Sequence, residues 1–282
     1  MFLAETVERA REFLANNSGG KSLGLVPTMG FLHEGHISLV RRCRAENGVT
    51  AVSIFVNPIQ FGPGEDLASY PRDMERDLSV LEQEGVDMVF APLPEQMYAD
   101  NFSVHVDEED LSKGLCGASR PGHFRGVCTV VTKLFNIIRP DRAYFGQKDY
   151  QQLQVIKRMV RDLNMPVEVV SCPIVREKDG LAMSSRNLYL TPEERQSALL
   201  LNRSLAMARD MVKAGEKSQK NIRQAVMDML NSDPALSIDY VELKDAEDLK
   251  DISEVSRKAV LALAVRVGRA RLIDNTVLDP AR

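Results

Sequence analysis

From about residue 22 to residue 176 the chain alternates short β-branched or aromatic runs with longer amphipathic stretches, and few folds accommodate that rhythm. Leu23 to Val26, Val49 to Val56, Val86 to Ala91, Ala143 to Phe145 and Val167 to Val175 read as strands bounded by Gly, Pro or Asn. Gly35 to Glu46, Asp73 to Glu84, Val127 to Ile138 and Tyr150 to Asn164 carry helical periodicity between them. Val127, Val130, Val131, Leu134, Phe135 and Ile138 recur so densely that their helix is expected to be well buried. Such alternation predicts an α/β fold, a Rossmann-like doubly wound parallel sheet with ligands at the carboxyl ends of its strands. Residues 1–175 are assigned to this domain.

After residue 176 the texture changes, and residues 176–282 are read as a smaller C-terminal α+β domain. Thr191-Pro192-Glu193-Glu194 combines an N-cap, a proline at the first helical position and a capping-box glutamate. Helices are predicted over Pro192 to Ala214 and Ser218 to Asn231. Ile238 to Leu243, Ala259 to Val267 and Arg269 to Asp274 read as strands, the last two joined through Gly268 as a hairpin.

Charge excludes some partners. Before the 175/176 division 18 Lys and Arg face 23 Asp and Glu; after it, 18 face 17. Neither part is the basic surface that neutralises nucleic-acid phosphates, so no nucleic-acid partner is expected. No stretch approaches the ~20 apolar residues of a membrane span, and the charged N-terminus lacks a signal-peptide core, so a cytoplasmic protein without membrane partners is expected. Cys43, Cys116, Cys128 and Cys172 form no C-x-x-C pair, which predicts buried free thiols.

The motif richest in chemistry is Met29-Gly30-Phe31-Leu32-His33-Glu34-Gly35-His36, which follows the first of these strands and opens a helix. The three-residue spacing places His33 and His36 on one helix face, beside amides that have no intrahelical partner. A helix start favours anions, and Gly35 is expected to let a phosphate approach closely. No Cys or carboxylate at ligand spacing completes a metal site there. Gly19-Gly20-Lys21-Ser22 is a decoy: it lacks the first glycine of a P-loop and precedes a strand.

Four further stretches are weaker alone. Gly146, Gln147, Lys148 and Asp149 end a strand, and Lys148 supplies a mobile charge for phosphate oxygens, although a solvated turn explains them equally well. Gln151 and Gln152 then follow as possible amide donors to a carboxylate. Met183, Ser184, Ser185 and Arg186 suit a pyrophosphate leaving group; a plain linker is the competing account. Asn57 and Gln60 are amides among apolar residues, fit for hydroxyl and carboxylate recognition, with capping an equal explanation of Asn57. Arg120 to Gly126 reads either as a gating loop or, at His123, as structure.

Together these five motifs, in order and at matching intervals from about residue 22 to 195, closely resemble the pantothenate synthetase (pantoate–β-alanine ligase) family within the HxGH nucleotidyltransferase-like superfamily. The resemblance implies ATP-dependent condensation of pantoate with β-alanine through a pantoyl adenylate, giving pantothenate, AMP and pyrophosphate. It implies His36 as catalytic acid, protonating or stabilising the phosphoryl group. It assigns Met29 to His36, Gly146 to Asp149, Val175 and Met183 to Arg186 to ATP, and Gln60 and Gln152 to pantoate and β-alanine. It further implies Mg²⁺ with the ATP, a homodimer, and a C-terminal domain acting as a lid.

Two other enzyme readings and one non-catalytic reading compete. An adenylyltransferase acting on a phosphate ester shares the first motif but needs no Asn57-x-x-Gln60 pocket. A tRNA-charging enzyme calls for a basic domain that is absent. A nucleotide sensor has no use for His33, His36, Lys148 and Arg186 together.

Overall fold

The computed structural model describes residues 1–281. Its first layer comprises β1 (Phe2–Ala4), α1 (Val7–Asn17), β2 (Leu23–Thr28), α2 (Glu34–Glu46), β3 (Val49–Ile54), α3 (Met74–Gln83), β4 (Met88–Phe90), α4 (Pro94–Met97), α5 (Leu115–Ser119), α6 (His123–Ile138), β5 (Arg142–Gly146), α7 (Tyr150–Asp162) and β6 (Glu168–Cys172). The six strands are parallel, in the order β1-β4-β3-β2-β5-β6. The chain leaves β2 in one direction to reach β3 and later resumes on its other side with β5. That switch point opens a crevice at the strand ends, as such sheets do.

Alternation along β2 divides the core. Leu23 and Leu25 pack with α1, α6 and α7, while Val26 packs with Leu32, with Ile37 and Val40 of α2 and with Leu81 of α3. The expected burial of α6 is borne out, with Val127, Val130, Val131, Leu134, Phe135 and Ile138 all in the core. Each such side chain contributes about 1.5–3 kcal/mol relative to exposure. All four cysteines are buried and free.

The second layer holds α8 (Pro192–Lys213), α9 (Gln219–Asn231) and an antiparallel sheet of β7 (Leu236–Asp245), β8 (Ala259–Val267) and β9 (Ala270–Leu278). The predicted capping box is present: Oγ1 of Thr191 accepts from the Glu194 amide at 3.2 Å, and Glu194 accepts from the Thr191 amide at 2.9 Å. One face of β8 packs on the two helices through Leu261, Leu263 and Val265. Its other face places Val260 and Ala262 against Leu115 and Tyr150, joining the two layers.

Several expectations need adjustment. α6 begins at His123, four residues before the predicted Val127, so the Arg120–Gly126 motif is largely helix. β9 continues past Asp274 to Leu278. β1, α1, α4 and α5 were not expected; three of them are five residues or shorter, below the length at which periodicity is readable.

Candidate active site

The turn between β2 and α2 is shaped from outside itself. Asp77 of α3 is buried, and its two carboxylate oxygens accept from the amides of Phe31 (2.6 Å) and Leu32 (2.8 Å). Burial raises the pKa of this carboxyl, and the two amides partly offset that rise. Thr28 adds a third fastening, its hydroxyl accepting from the Gly30 amide at 3.1 Å. The chain then enters α2 with His33 as N-cap.

The amide of His33 donates to Nδ1 of His36 at 3.3 Å, and the two rings stack with centroids 4.0 Å apart. An accepting Nδ1 leaves the proton of neutral His36 on Nε2. Burial, then the neighbouring His33 and Lys148, lower the His36 pKa to about 3. Burial followed by Lys148 lowers that of His33 to about 4. Both rings are therefore neutral near pH 7, and each has one N–H donor and no charge. Gly35 lines the smaller cavity, and a Cβ there would lie 2.9 Å from the His33 ring, so the glycine also leaves room for that imidazole.

Lys148 lies on a 3₁₀ turn, Gln147–Asp149, at the end of β5. Its ammonium is 3.9 Å from Asp149. The second layer holds this turn: Nδ2 of Asn275, on β9, donates to the carbonyls of Gln147 (3.0 Å) and Lys148 (2.8 Å). Next to it, Asp274 is fixed by a bidentate pair with Arg176 at 2.7 and 3.0 Å.

After β6 the chain doubles back, so that the Met183 amide donates to the Val175 carbonyl at 3.0 Å and brings these two residues together. Ser184 caps a 3₁₀ turn, Ser185–Tyr189, by accepting from the Arg186 amide. Tyr70 and Ser185 are hydrogen-bonded through their side chains. Arg186 is not free: its guanidinium forks onto Asp66 with two contacts of 3.0 Å. Burial alone would weaken that charge, but Asp66 outweighs it and the Arg186 pKa is raised.

The amide pocket follows from Asn57, whose role is structural. Its Nδ2 donates to Oε1 of Gln60 (3.0 Å) and the carbonyl of Gly126 (3.1 Å), and its Oδ1 accepts from Tyr98 (2.7 Å). Gln60 is thereby oriented, with Nε2 against the Met29 sulfur at 3.2 Å. α6 approaches so closely that a Cβ on Gly126 would lie 2.5 Å from the Ile59 carbonyl oxygen. His123 reinforces the contact, with Nδ1 2.9 Å from the Gln60 carbonyl and Nε2 3.1 Å from Arg120. Burial, then Arg120, lower its pKa to about 4, so it is a neutral structural link.

Two connected cavities result, of about 230 and 760 Å³, sharing Lys148, Asp149, Gln152, Ser184 and Arg186. Met29, His33, Gly35, His36, Gln60, Gly146, Val175, Met183 and Ser185 line the smaller one. Five proposed ATP residues line neither: Gly30, Phe31, Leu32, Glu34 and Gln147. Leu32 is core, Glu34 pairs with Arg41 on the surface, and Gln147 offers its carbonyl to Asn275. Gln151 borders the larger cavity, but its side-chain amide is engaged by the protein. Its Oε1 accepts from Cys116, and its Nε2 donates to the carbonyls of Leu111 and Gly114. One helical step of about 100° separates it from Gln152, which faces the cleft. Asp77, Asp66 and Asn275 escaped the sequence reading, since each reaches the site from a remote segment that carries no motif of its own.

Neutral imidazole donors at a helix start, with a lysine and an arginine on the opposite wall of a parallel-sheet crevice, define a nucleotide-binding enzyme of the α/β class. The family model described as pantoate-beta-alanine ligase matches residues 3–277. The pantothenate synthetases of Pseudothermotoga lettingae and Thermotoga neapolitana are 57% and 59% identical to the chain, over 278 and 279 residues. These alignments cover 99% of the chain in both cases, and 99% and 100% of the relatives. The crystal structure of the Thermus thermophilus pantothenate synthetase superposes with a TM-score of 0.94 at 48% identity, covering 98% of this chain and 99% of that one. The Francisella tularensis pantoate-beta-alanine ligase, complexed with beta-gamma ATP and beta-alanine, superposes at 0.82 with 31% identity, covering 100% and 98%. The chain belongs to the pantoate–β-alanine ligase family and is a ligase.

Proposed function

We propose that this cleft carries out the family's reaction, the ATP-dependent condensation of pantoate with β-alanine, by holding charge and geometry and without a covalent enzyme intermediate. A pantoate carboxylate oxygen attacks the α-phosphorus of ATP, the bond from that phosphorus to pyrophosphate breaks, and pantoyl adenylate remains. The β-alanine amine then attacks the acyl carbon, loses a proton, and AMP departs with the former carboxylate oxygen. Positioning and electrostatic stabilisation suffice for both steps.

The observation that carries this reading is the convergence of His36, Lys148, Arg186, Gln60 and Gln152 on one connected cleft. In this reading His36 donates from Nε2 to the phosphoryl oxygens. A pKa of about 3 favours such a neutral donor over a proton-transferring acid, the other half of the original expectation. Lys148 and Arg186 neutralise the phosphates, Ser184 and Ser185 donate to them, and the Gln60 and Gln152 amides hold the organic substrates. Mg²⁺ enters as part of the nucleotide substrate. No group of three or more His, Cys, Asp or Glu among the described residues is arranged to hold a metal, so phosphate oxygens and water supply most of its ligands.

The lid role of residues 176–282 and the homodimer rest on the family resemblance, whereas the division at 175/176 and the cytoplasmic location rest on the sequence pattern. No helix among the described residues is long and apolar enough to cross a membrane. The lid role also draws support from Asn275, which ties the second layer to the Lys148 turn. The deciding experiment supplies ATP, Mg²⁺, pantoate and β-alanine and follows AMP and pyrophosphate. AMP release that ignores either organic substrate would sink the reading.

A further inference from the structure

The segment from residue 62 to residue 70 contains no helix or strand, and two consecutive acids fasten it across the cleft. Glu65 takes Arg120 with contacts of 2.7 and 2.6 Å, and Asp66 takes Arg186 with two of 3.0 Å. The Arg186 and Asp66 side chains remain 31% and 24% exposed, and Arg186 borders both cavities. A guanidinium fork fits a carboxylate and a phosphate with the same pair of parallel N–H bonds. The anion on the one arginine of the Met183–Arg186 motif is therefore supplied by the protein itself.

We propose that Asp66 is an internal competitor for pyrophosphate: it holds Arg186 in the empty cleft, yields it to the phosphates of ATP, and retakes it as pyrophosphate leaves. Asp66 takes the Nε/Nη2 edge of the guanidinium, so a phosphate that docks on that same edge has to displace it. Asp66 stays charged at neutral pH; burial opposes that charge, but Arg186 outweighs it and keeps the carboxyl below its ordinary range. Glu65 and Arg120 lie on the far side of the segment and keep it attached while Asp66 swings clear. The exchange has two consequences. It keeps Arg186 pre-extended, and it lowers affinity for the leaving group, which speeds its release. This inference rests on the reading of Arg186 as a phosphate ligand.

The test is calorimetric titration of pyrophosphate into the full-length wild type, Asp66→Asn, Asp66→Glu, Arg186→Ala and the Asp66→Asn/Arg186→Ala double variant, each checked for folding by circular dichroism. Asp66→Asn is expected to bind pyrophosphate about tenfold more tightly, and Asp66→Glu to stay within about threefold of wild type. Arg186→Ala should weaken binding and erase the gain in the double variant. Unchanged or weaker binding by Asp66→Asn, with Arg186→Ala still weakened, overturns the competitor role and leaves the phosphate reading standing. Unchanged binding by Arg186→Ala overturns both. Should the Asn variant not fold, Asp66→Ser takes its place under the same criteria.

Discussion

The His33 amide points its hydrogen at Nδ1 of His36, and this one 3.3 Å contact fixes which nitrogen of the catalytic candidate holds a proton. Nε2 is left as the donor, so the two histidines act as a unit in which one residue's backbone sets the other's tautomer. Replacing His36 with Asn keeps an acceptor near the Nδ1 position and deletes the Nε2 donor. We expect pantoate-dependent exchange of pyrophosphate into ATP to fall about 10²- to 10³-fold, with an unchanged urea midpoint. Exchange at the wild-type rate would remove His36 from the mechanism.

Protonation of these rings should be visible in stability before it is visible in activity. The folded-state pKa values of about 4 for His33 and about 3 for His36 lie below the ordinary 6.5. The unfolded chain therefore binds more protons below pH 6.5, and stability falls with acidification. The contribution is complete above about pH 6.5 and is lost as pH drops through the folded values. Urea midpoints should be level above neutrality and decline below it. Ring ¹H resonances of His33, His36 and His123 should hold steady between about pH 8 and pH 5. A midpoint near pH 6.5 for His36 would contradict the burial argument.

Asp77 tests how far the turn depends on a remote carboxylate. In Asp77→Asn one oxygen remains to serve two amides, and an NH₂ group faces an N–H. We expect a loss of about 1–3 kcal/mol in urea unfolding and a raised KM for ATP, because the His33–His36 helix start is no longer held. Wild-type stability would mean that the two amides find other partners.

Asn275→Ala removes both donors to the Lys148 turn. The turn should keep its chain path but loosen, raising the KM for ATP about tenfold while that for pantoate changes little. Steady-state kinetics with each substrate varied in turn distinguishes this from general destabilisation, which would lower the active fraction and leave both constants alone.

Much of this was legible in the sequence because it is local. The periodicity of α6, the Thr191–Glu194 box and the strand–helix alternation are each decided within a few residues, and they reappear almost at the expected boundaries. The cleft was legible only where a motif carries its own side chains to it, as with His33, His36, Lys148 and Arg186. Gln152 was singled out over Gln151 only by the family resemblance, since the tie of Gln151 to the 111–116 loop is not encoded locally. Glu34 and Leu32 were swept in with a motif whose alternate residues face surface and core. Asn275 and Asp77 lie 127 and 45 positions along the chain from the residues they hold, separations that no local pattern encodes.

The placement of Asn275 also bears on the order of events at the ribosome. β9 is the last strand of the described chain to be made, and its partners in the first layer are complete long before it. Until β9 is made, the turn bearing Lys148 lacks the two Asn275 contacts that brace it. The brace on the nucleotide site is therefore in place only once β9 has been made.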